Sequence, residues 1–155
     1  MAKVLIDTTY LLPAAGIGVE GVPADATRRV KDAGFGALAS QISLFEVLAK
    51  GAKLVSEGKA DPARVSLAIK SILSDGSIGK VEAYTEDIMT MAIELRRYHS
   101  DFVDCLILAS AANECDTLVT EDADMPKNDD LMKAVLRHKP KFRILMLRAL
   151  LTRHQ

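Results

Sequence analysis

Apolar positions along the chain fall into short continuous runs separated by longer stretches of helical period. Val4, Leu5 and Ile6, introduced by Lys3 and closed by Asp7-Thr8-Thr9, form a β-rich apolar run, which predicts a buried strand over 3–6. Residues 13–23, with Pro13, Pro23 and three glycines, read as loop, and 24–33 as a helix with Arg28, Arg29 and Lys31 outside and Gly34 closing it. A strand over 36–40 leads into a helix over 43–56, with Leu44, Phe45, Val47, Leu48, Ala52 and Val55 expected inside. Asp61-Pro62 opens a further helix that stops at Asp75-Gly76; 78–84 alternates like a strand, and Thr85 caps a helix to about residue 98. Strands are then expected over 116–120 and 142–147, with a short helix over 129–137 between them. Strands alternating with helices predict an α/β domain: a three-layer α/β/α sandwich around a parallel sheet of about five strands.

The stretch from Phe102 to Ala112 is apolar on every side except at Asp104 and Ser110, so as a helix it is buried nearly all round. An ionised carboxylate at its entrance costs several kcal/mol, on the order of that for other buried charges, unless a positive group answers it. His99 is the only basic residue close by. One reading makes Ser100 the N-cap and places Asp101 and Asp104 in the first turn, where the helix dipole favours acids. The other makes a metal ion the counter-charge of Asp104.

Length and composition bound the rest. A chain of 155 residues with 49% hydrophobic content fits one domain, 1–155, with one core. Tryptophan is absent and aromatics are 5%, which argues against a base-stacking sheet surface. Cys105 and Cys115 sit ten residues apart on one expected helix, about 15 Å at about 1.5 Å per residue, too far for a disulfide. Without a Cys-x-x-Cys or a paired His spacing a zinc site is not expected, and reduced thiols suit a cytoplasmic protein. Asp7 interrupts the first apolar run, so neither a signal peptide nor a membrane span is expected. The net charge of −1 is unevenly placed: residues 1–125 carry 12 basic against 19 acidic side chains, net −7, and residues 126–155 carry 8 against 2, net +6.

Several acids fall where chemistry collects in a parallel α/β sheet, at carboxyl ends of strands and starts of helices. Asp7 follows the first strand, and Glu121, Asp122 and Asp124 follow the Leu118-Val119 strand. Glu46 stands three residues after Ser43, a capping-box spacing that offers it a structural role instead. Four distant segments thus each contribute an acid, and clustered carboxylates either protonate or recruit cations. Oxygen ligands without Cys or His select magnesium or manganese.

Four stretches in this order, Val4-Leu5-Ile6-Asp7-Thr8-Thr9, Ile42-Ser43-Leu44-Phe45-Glu46-Val47, Phe102-Val103-Asp104-Cys105-Leu106-Ile107-Leu108-Ala109 and Leu118-Val119-Thr120-Glu121-Asp122, resemble the motifs of PIN domains, the nuclease domain of VapC-type toxins. The resemblance spans almost the whole chain. It implies a metal-dependent ribonuclease site in which Asp7, Glu46, Asp104 and Asp122 are both catalytic and metal-binding, with Mg2+ or Mn2+ as cofactor. Thr9 and Thr120 become hydroxyl supports, Asp101 an added acid beside Asp104, and Asp124 a second choice for the fourth ligand. Met125 stands where many relatives have an aromatic residue, and 126–141 is longer than the family's usual link to its last strand. The resemblance further implies a homodimer and, for a toxin, a VapB-type antitoxin.

The mechanism expected on this basis is hydrolysis of RNA phosphodiester bonds by metal-activated water, without a covalent intermediate. A receiver or aspartate-based phosphatase fits less well, since Thr9 stands where such phosphatases have a second Asp. An RNA-processing nuclease that has no antitoxin and a catalytically inert binding scaffold are rival readings of the same residues. An acidic site must attract a polyanion from elsewhere on its surface, and Lys133, Arg137, Lys139, Lys141 and Arg143 are the expected RNA-binding rim.

Overall fold

The computed structural model describes residues 1–153; the last two residues of the expected 1–155 domain lie outside the described residues. Five strands form one sheet: β1 (Lys3–Ile6), β2 (Gly36–Ser40), β3 (Ile78–Val81), β4 (Thr117–Val119) and β5 (Arg143–Leu145). Their order is β3-β2-β1-β4-β5 and every pairing is parallel. The continuous apolar runs are explained by this arrangement, because a parallel sheet is covered on both faces. Leu5 packs into one core cluster with Leu118, Ile144 and much of the central helix, while its neighbours Val4 and Ile6 point into the other with Ala37, Ala39 and Val119. The expected three-layer α/β/α sandwich is the fold observed.

The helices are α1 (Thr8–Leu11), α2 (Ala26–Asp32), α3 (Gln41–Ser56), α4 (Pro62–Ser74), α5 (Glu86–Leu95), α6 (Phe102–Glu114), α7 (Asp129–His138) and α8 (Leu147–Thr152). Asp61 and Thr85 cap α4 and α5 through side-chain acceptors, as their sequence positions predict. Two expected caps move. Asp101, not Ser100, caps α6, accepting from the Val103 and Asp104 amides. Ser40, not Ser43, caps α3, which therefore begins two residues early.

That shift removes the capping-box role of Glu46, which now lies in the second turn, and leaves the Ser43 hydroxyl buried without a partner among the described residues. The buried face also differs from the expected one. Ile42, Ser43, Val47 and Gly51 are buried, whereas Phe45 and Leu48, expected in the core, are 63% and 48% exposed, and Ala52 is exposed as well.

The last apolar run divides differently from the expected strand over 142–147: β5 takes three residues, and Leu147 opens α8. Cys105 and Cys115 are both free and buried. Among the described residues, no helix is long and apolar enough to cross a membrane.

Candidate active site

Because all five strands run the same way, their carboxyl ends share one edge of the sheet, and the chain leaves that edge into α1, α3 and the loop after β4. Asp7 is the residue after β1. Its amide donates to the Val119 carbonyl at 2.9 Å, so its backbone is fixed by the neighbouring strand. One carboxylate oxygen, Oδ1, accepts from the Thr8 amide at 2.7 Å as the cap of α1, and Oδ2 accepts from the Thr120 hydroxyl at 2.7 Å. Thr120 also uses its oxygen to accept the Asp122 amide at 3.1 Å. One buried hydroxyl thus ties the acid after β1 to the acid after β4.

Glu46 enters from α3. The Thr8 hydroxyl donates to its Oε1 at 2.6 Å, which makes Thr8, and not the expected Thr9, the hydroxyl support on this side. Asp104 comes from the first turn of α6, and its Oδ2 lies 2.9 Å from Nε2 of His99. His99 is thus the positive-capable neighbour that the sequence pointed to. Asp122 sits in the turn after β4 and accepts the Asp124 and Met125 amides through Oδ1.

The electrostatics bind these acids into one site. Burial pushes the Asp7 carboxyl above its ordinary value, and the charges of Asp104 and Asp122 raise it further against the Thr120 and Thr8 hydrogen bonds. Burial likewise raises Glu46, opposed by the Thr8 bond and raised again by Asp7 and Asp104. Asp104 is raised by burial first, is held back by His99, and feels Asp101 and Asp122. Asp7, Glu46 and Asp104 thus lie within electrostatic reach of one another, and Asp122 within reach of Asp7 and Asp104.

Asp101 is spent on the cap of α6. Asp124 is exposed at the start of the 3-10 turn Met125–Lys127, leaving Asp122 as the acid that couples to Asp7 and Asp104. Glu121 points elsewhere, receiving a hydrogen bond from the hydroxyl of buried Tyr10, which in turn accepts the Leu147 amide at 3.0 Å. Sequence reading assigned no role to Thr8, Tyr10 or Glu121. The only signal for the first was its place directly after Asp7.

Most of the expected basic rim lies toward the opposite edge of the sheet. Arg143 opens β5 opposite Thr117, and Lys139 pairs with Asp116 at 3.1 Å; both line a recess with Met1 and Lys3 at the amino edge of the sheet. Lys141 precedes β5 on the same side. Arg137, together with His138, pairs with Glu94 of α5, and Lys133 is exposed midway along α7. The reason is topological: between two parallel strands, α7 must carry the chain back from the carboxyl edge to the amino edge. Cations that flank the acids include Lys50, one turn beyond Glu46 and lowering its pKa, and Arg96, whose guanidinium holds the His99 carbonyl.

A family model, the PIN domain, matches residues 4–131. The chain belongs to the PIN domain family. PIN domains are generally metal-dependent nucleases. The chain is also similar to the crystal structure of PAE2754 from Pyrobaculum aerophilum, at 18% identity and a TM-score of 0.59, with 99% of this chain and 95% of that one covered. At that identity the likeness concerns the fold. No curated protein matches the sequence. The family match ends at Leu131, yet β5 and α8 beyond it complete the sheet and close the Tyr10–Glu121 side of the site.

The donor set of this PIN site suits a hard divalent cation, being carboxylate and hydroxyl oxygen throughout. Among the described residues no three acidic, His or Cys side chains approach one another closely enough to form a ready coordination shell. Each of Asp7, Glu46 and Asp104 is turned instead onto a hydrogen-bond donor of its own, as mutually repelling anions are.

Proposed function

We propose that this PIN protein is a ribonuclease that hydrolyses RNA phosphodiester bonds with Mg2+ or Mn2+, and that it serves as the toxin of a VapBC-type pair. The observation that carries the reading is the convergence of Asp7, Glu46, Asp104 and Asp122 from four segments of the chain, with three of the four pushed toward protonation by burial and by one another. Such an arrangement destabilises the metal-free fold and is retained for what it binds.

Asp7, Glu46, Asp104 and Asp122 would hold the ion, which would supply a bound water of lowered pKa and positive charge to offset that of the scissile phosphate. The chain's own residues do the positioning. Thr120 and Thr8 fix Asp7 so that it cannot swing away from the cleft, and Thr8 also holds one oxygen of Glu46. Oε2 of Glu46 has no partner among the described residues and is left free for the ion or for a water beside it. His99 holds one oxygen of Asp104 and leaves the other to the cleft.

A toxin is held in check by an antitoxin, and the exposed apolar side chains Phe45, Leu48, Leu67, Leu73 and Ile93 support contact with that partner and with a second copy in a homodimer. Such a pair acts in the cytoplasm, which the two reduced thiols suit. The test is a cleavage assay of purified protein on total cellular RNA with Mg2+, Mn2+ or EDTA. Cleavage restored by either ion and lost in Asp104→Asn supports the nuclease, and rescue of expressing cells by the neighbouring open reading frame supports the toxin role. No cleavage with either ion would sink both.

A further inference from the structure

Residues 126–155 carry the basic excess of the chain, but Arg148 is the member that the fold delivers to the acidic edge. It is exposed in the first turn of α8, immediately after β5 reaches the carboxyl ends of the strands, and it makes no ion pair or side-chain hydrogen bond among the described residues. Its position is fixed by its neighbours. Leu147 and Leu150 are buried on either side of it, and the Leu147 amide is bonded to the Tyr10 hydroxyl, which itself holds Glu121. The start of α8 is thereby tied, through Tyr10, to the turn after β4 that carries Thr120, Glu121 and Asp122, which sets where Arg148 leaves the fold.

Two grooves meet at this side chain. The inner one, about 290 Å³, is lined by Thr120, Asp122, Pro126, Met146 and Ala149, so it meets the acidic site at Asp122 and has a largely apolar floor. The outer one, about 430 Å³, runs past Gly21, Glu121 and Leu151 to Arg29, whose guanidinium is also paired with Asp25. The negative charge of Glu121 in this outer groove is engaged by the Tyr10 hydroxyl. An apolar floor for a base, a free guanidinium for a phosphate and continuity with the carboxylates suit a single nucleic-acid strand leaving the cleft.

Resting on the nuclease reading above, we propose that Arg148 holds a backbone phosphate of the RNA strand beside the scissile bond, with the adjoining nucleotide in the groove between Asp122 and α8. The strand then continues toward Arg29. Arg148 is a substrate-binding residue in this arrangement and takes no part in the bond-breaking step.

The experiment measures binding apart from cleavage. Full-length Asp104→Asn protein is titrated against a fluorescein-labelled pool of random single-stranded 12-mer RNA in Mg2+, over a range of salt. The same is done with Arg148→Ala, Arg148→Lys and, as a control at the opposite edge, Lys3→Ala, each in the Asp104→Asn background. Arg148→Ala should weaken binding about tenfold and reduce the log–log salt slope by about 0.7, the value for one lost phosphate contact on a single strand. Arg148→Lys should restore the slope but not the full affinity, and Lys3→Ala should change neither. Unchanged thermal melting of the Arg148 variants excludes a folding effect.

Parental affinity and slope in Arg148→Ala would overturn the inference while leaving the nuclease reading intact. Loss of binding without any change in slope would also overturn it. An Arg148-dependent slope in a protein whose unmutated parent cleaves no RNA would uphold the groove and remove the nuclease. Failure of the Asp104→Asn parent to bind the pool at all would overturn both.

Discussion

Nε2 of His99 lies 2.9 Å from Oδ2 of Asp104, bridging the loop after α5 to the first turn of α6. The side chains are 19% and 29% exposed, so the pair sits at the mouth of the cleft and not in bulk solvent. Burial drives Asp104 toward its neutral form and His99 opposes that. The result is a carboxylate held in place at some expense to the metal-free fold.

Asp104→Asn should therefore abolish RNA cleavage and leave the metal-free protein as stable as the parent or more so. The amide keeps the volume and can still accept from His99, while it removes the charge that Asp7, Glu46 and Asp122 repel. Thermal melting in EDTA, paired with the cleavage assay, checks both halves. A variant that cleaves at the parental rate would reduce Asp104 to a helix-start acid.

Much of this was legible in the sequence for identifiable reasons. Buried parallel strands are continuous apolar runs, so β1, β4 and β5 were readable as such while β3 showed as alternation, and Asp61-Pro62 and Thr85 marked helix starts by chemistry that needs no tertiary context. The acids after β1 and β4 were readable because a strand end fixes the edge on which a residue lies. What failed depended on rotation or on the return of the chain. The buried stripe of α3 runs through Ile42, Ser43, Val47 and Gly51 and leaves Phe45 and Leu48 outside, and Met146, which caps α8 without a side-chain bond, gave no boundary signal inside an apolar run. The basic residues of 133–143 are near Asp122 in sequence, yet α7 carries most of them toward the far edge.

The raised carboxyls predict a direction of pH dependence in EDTA. A group whose folded pKa exceeds its unfolded value contributes stability that is complete below the unfolded value, near 4 for these acids, and is lost as pH rises through the folded value. Asp7, Glu46 and Asp104 all behave this way. Asp25, Asp75 and Glu94, lowered by exposed partners, act in the opposite sense but are screened by solvent. Comparison with Asp7→Asn isolates one acid. The melting temperature of the variant minus that of the parent should grow from pH 4 to pH 7, and a difference flat across this range would contradict the assignment.

Gly51 tests the packing that presents Glu46. A Cβ built there would lie 2.6 Å from Cγ1 of Val65, a branched side chain on α4 with little rotamer freedom. Gly51→Ala gains helix propensity of about 1 kcal/mol but forces α3 and α4 apart, at about 1–3 kcal/mol, so the net effect should be destabilising. Adding Val65→Ala should recover most of the loss. A single Gly51→Ala variant that melts higher than the parent would show that the two helices part freely.

Thr120 offers the most discriminating change, because its buried hydroxyl donates to Oδ2 of Asp7 and accepts from the Asp122 amide. Thr120→Val keeps the shape and removes both bonds. Losing a hydrogen bond to a charged group costs about 1.5–3 kcal/mol, and a domain of this size loses about 2–4 °C of melting temperature per kcal/mol. The stability loss should be larger at pH 7 than at pH 4, since the hydroxyl lowers the Asp7 pKa and so favours the ionised carboxylate over the protonated one. Cleavage should fall through kcat more than through KM, because the variant misplaces two acids that act on the reacting phosphate while leaving Arg148 and its grooves unchanged. Thr120→Ser, which keeps the hydroxyl and loses only a methyl group, should restore most of kcat. If Thr120→Val retains parental kcat, or if Thr120→Ser fails to restore what Val loses, the Thr120 hydroxyl is not what aligns the acids after β1 and β4.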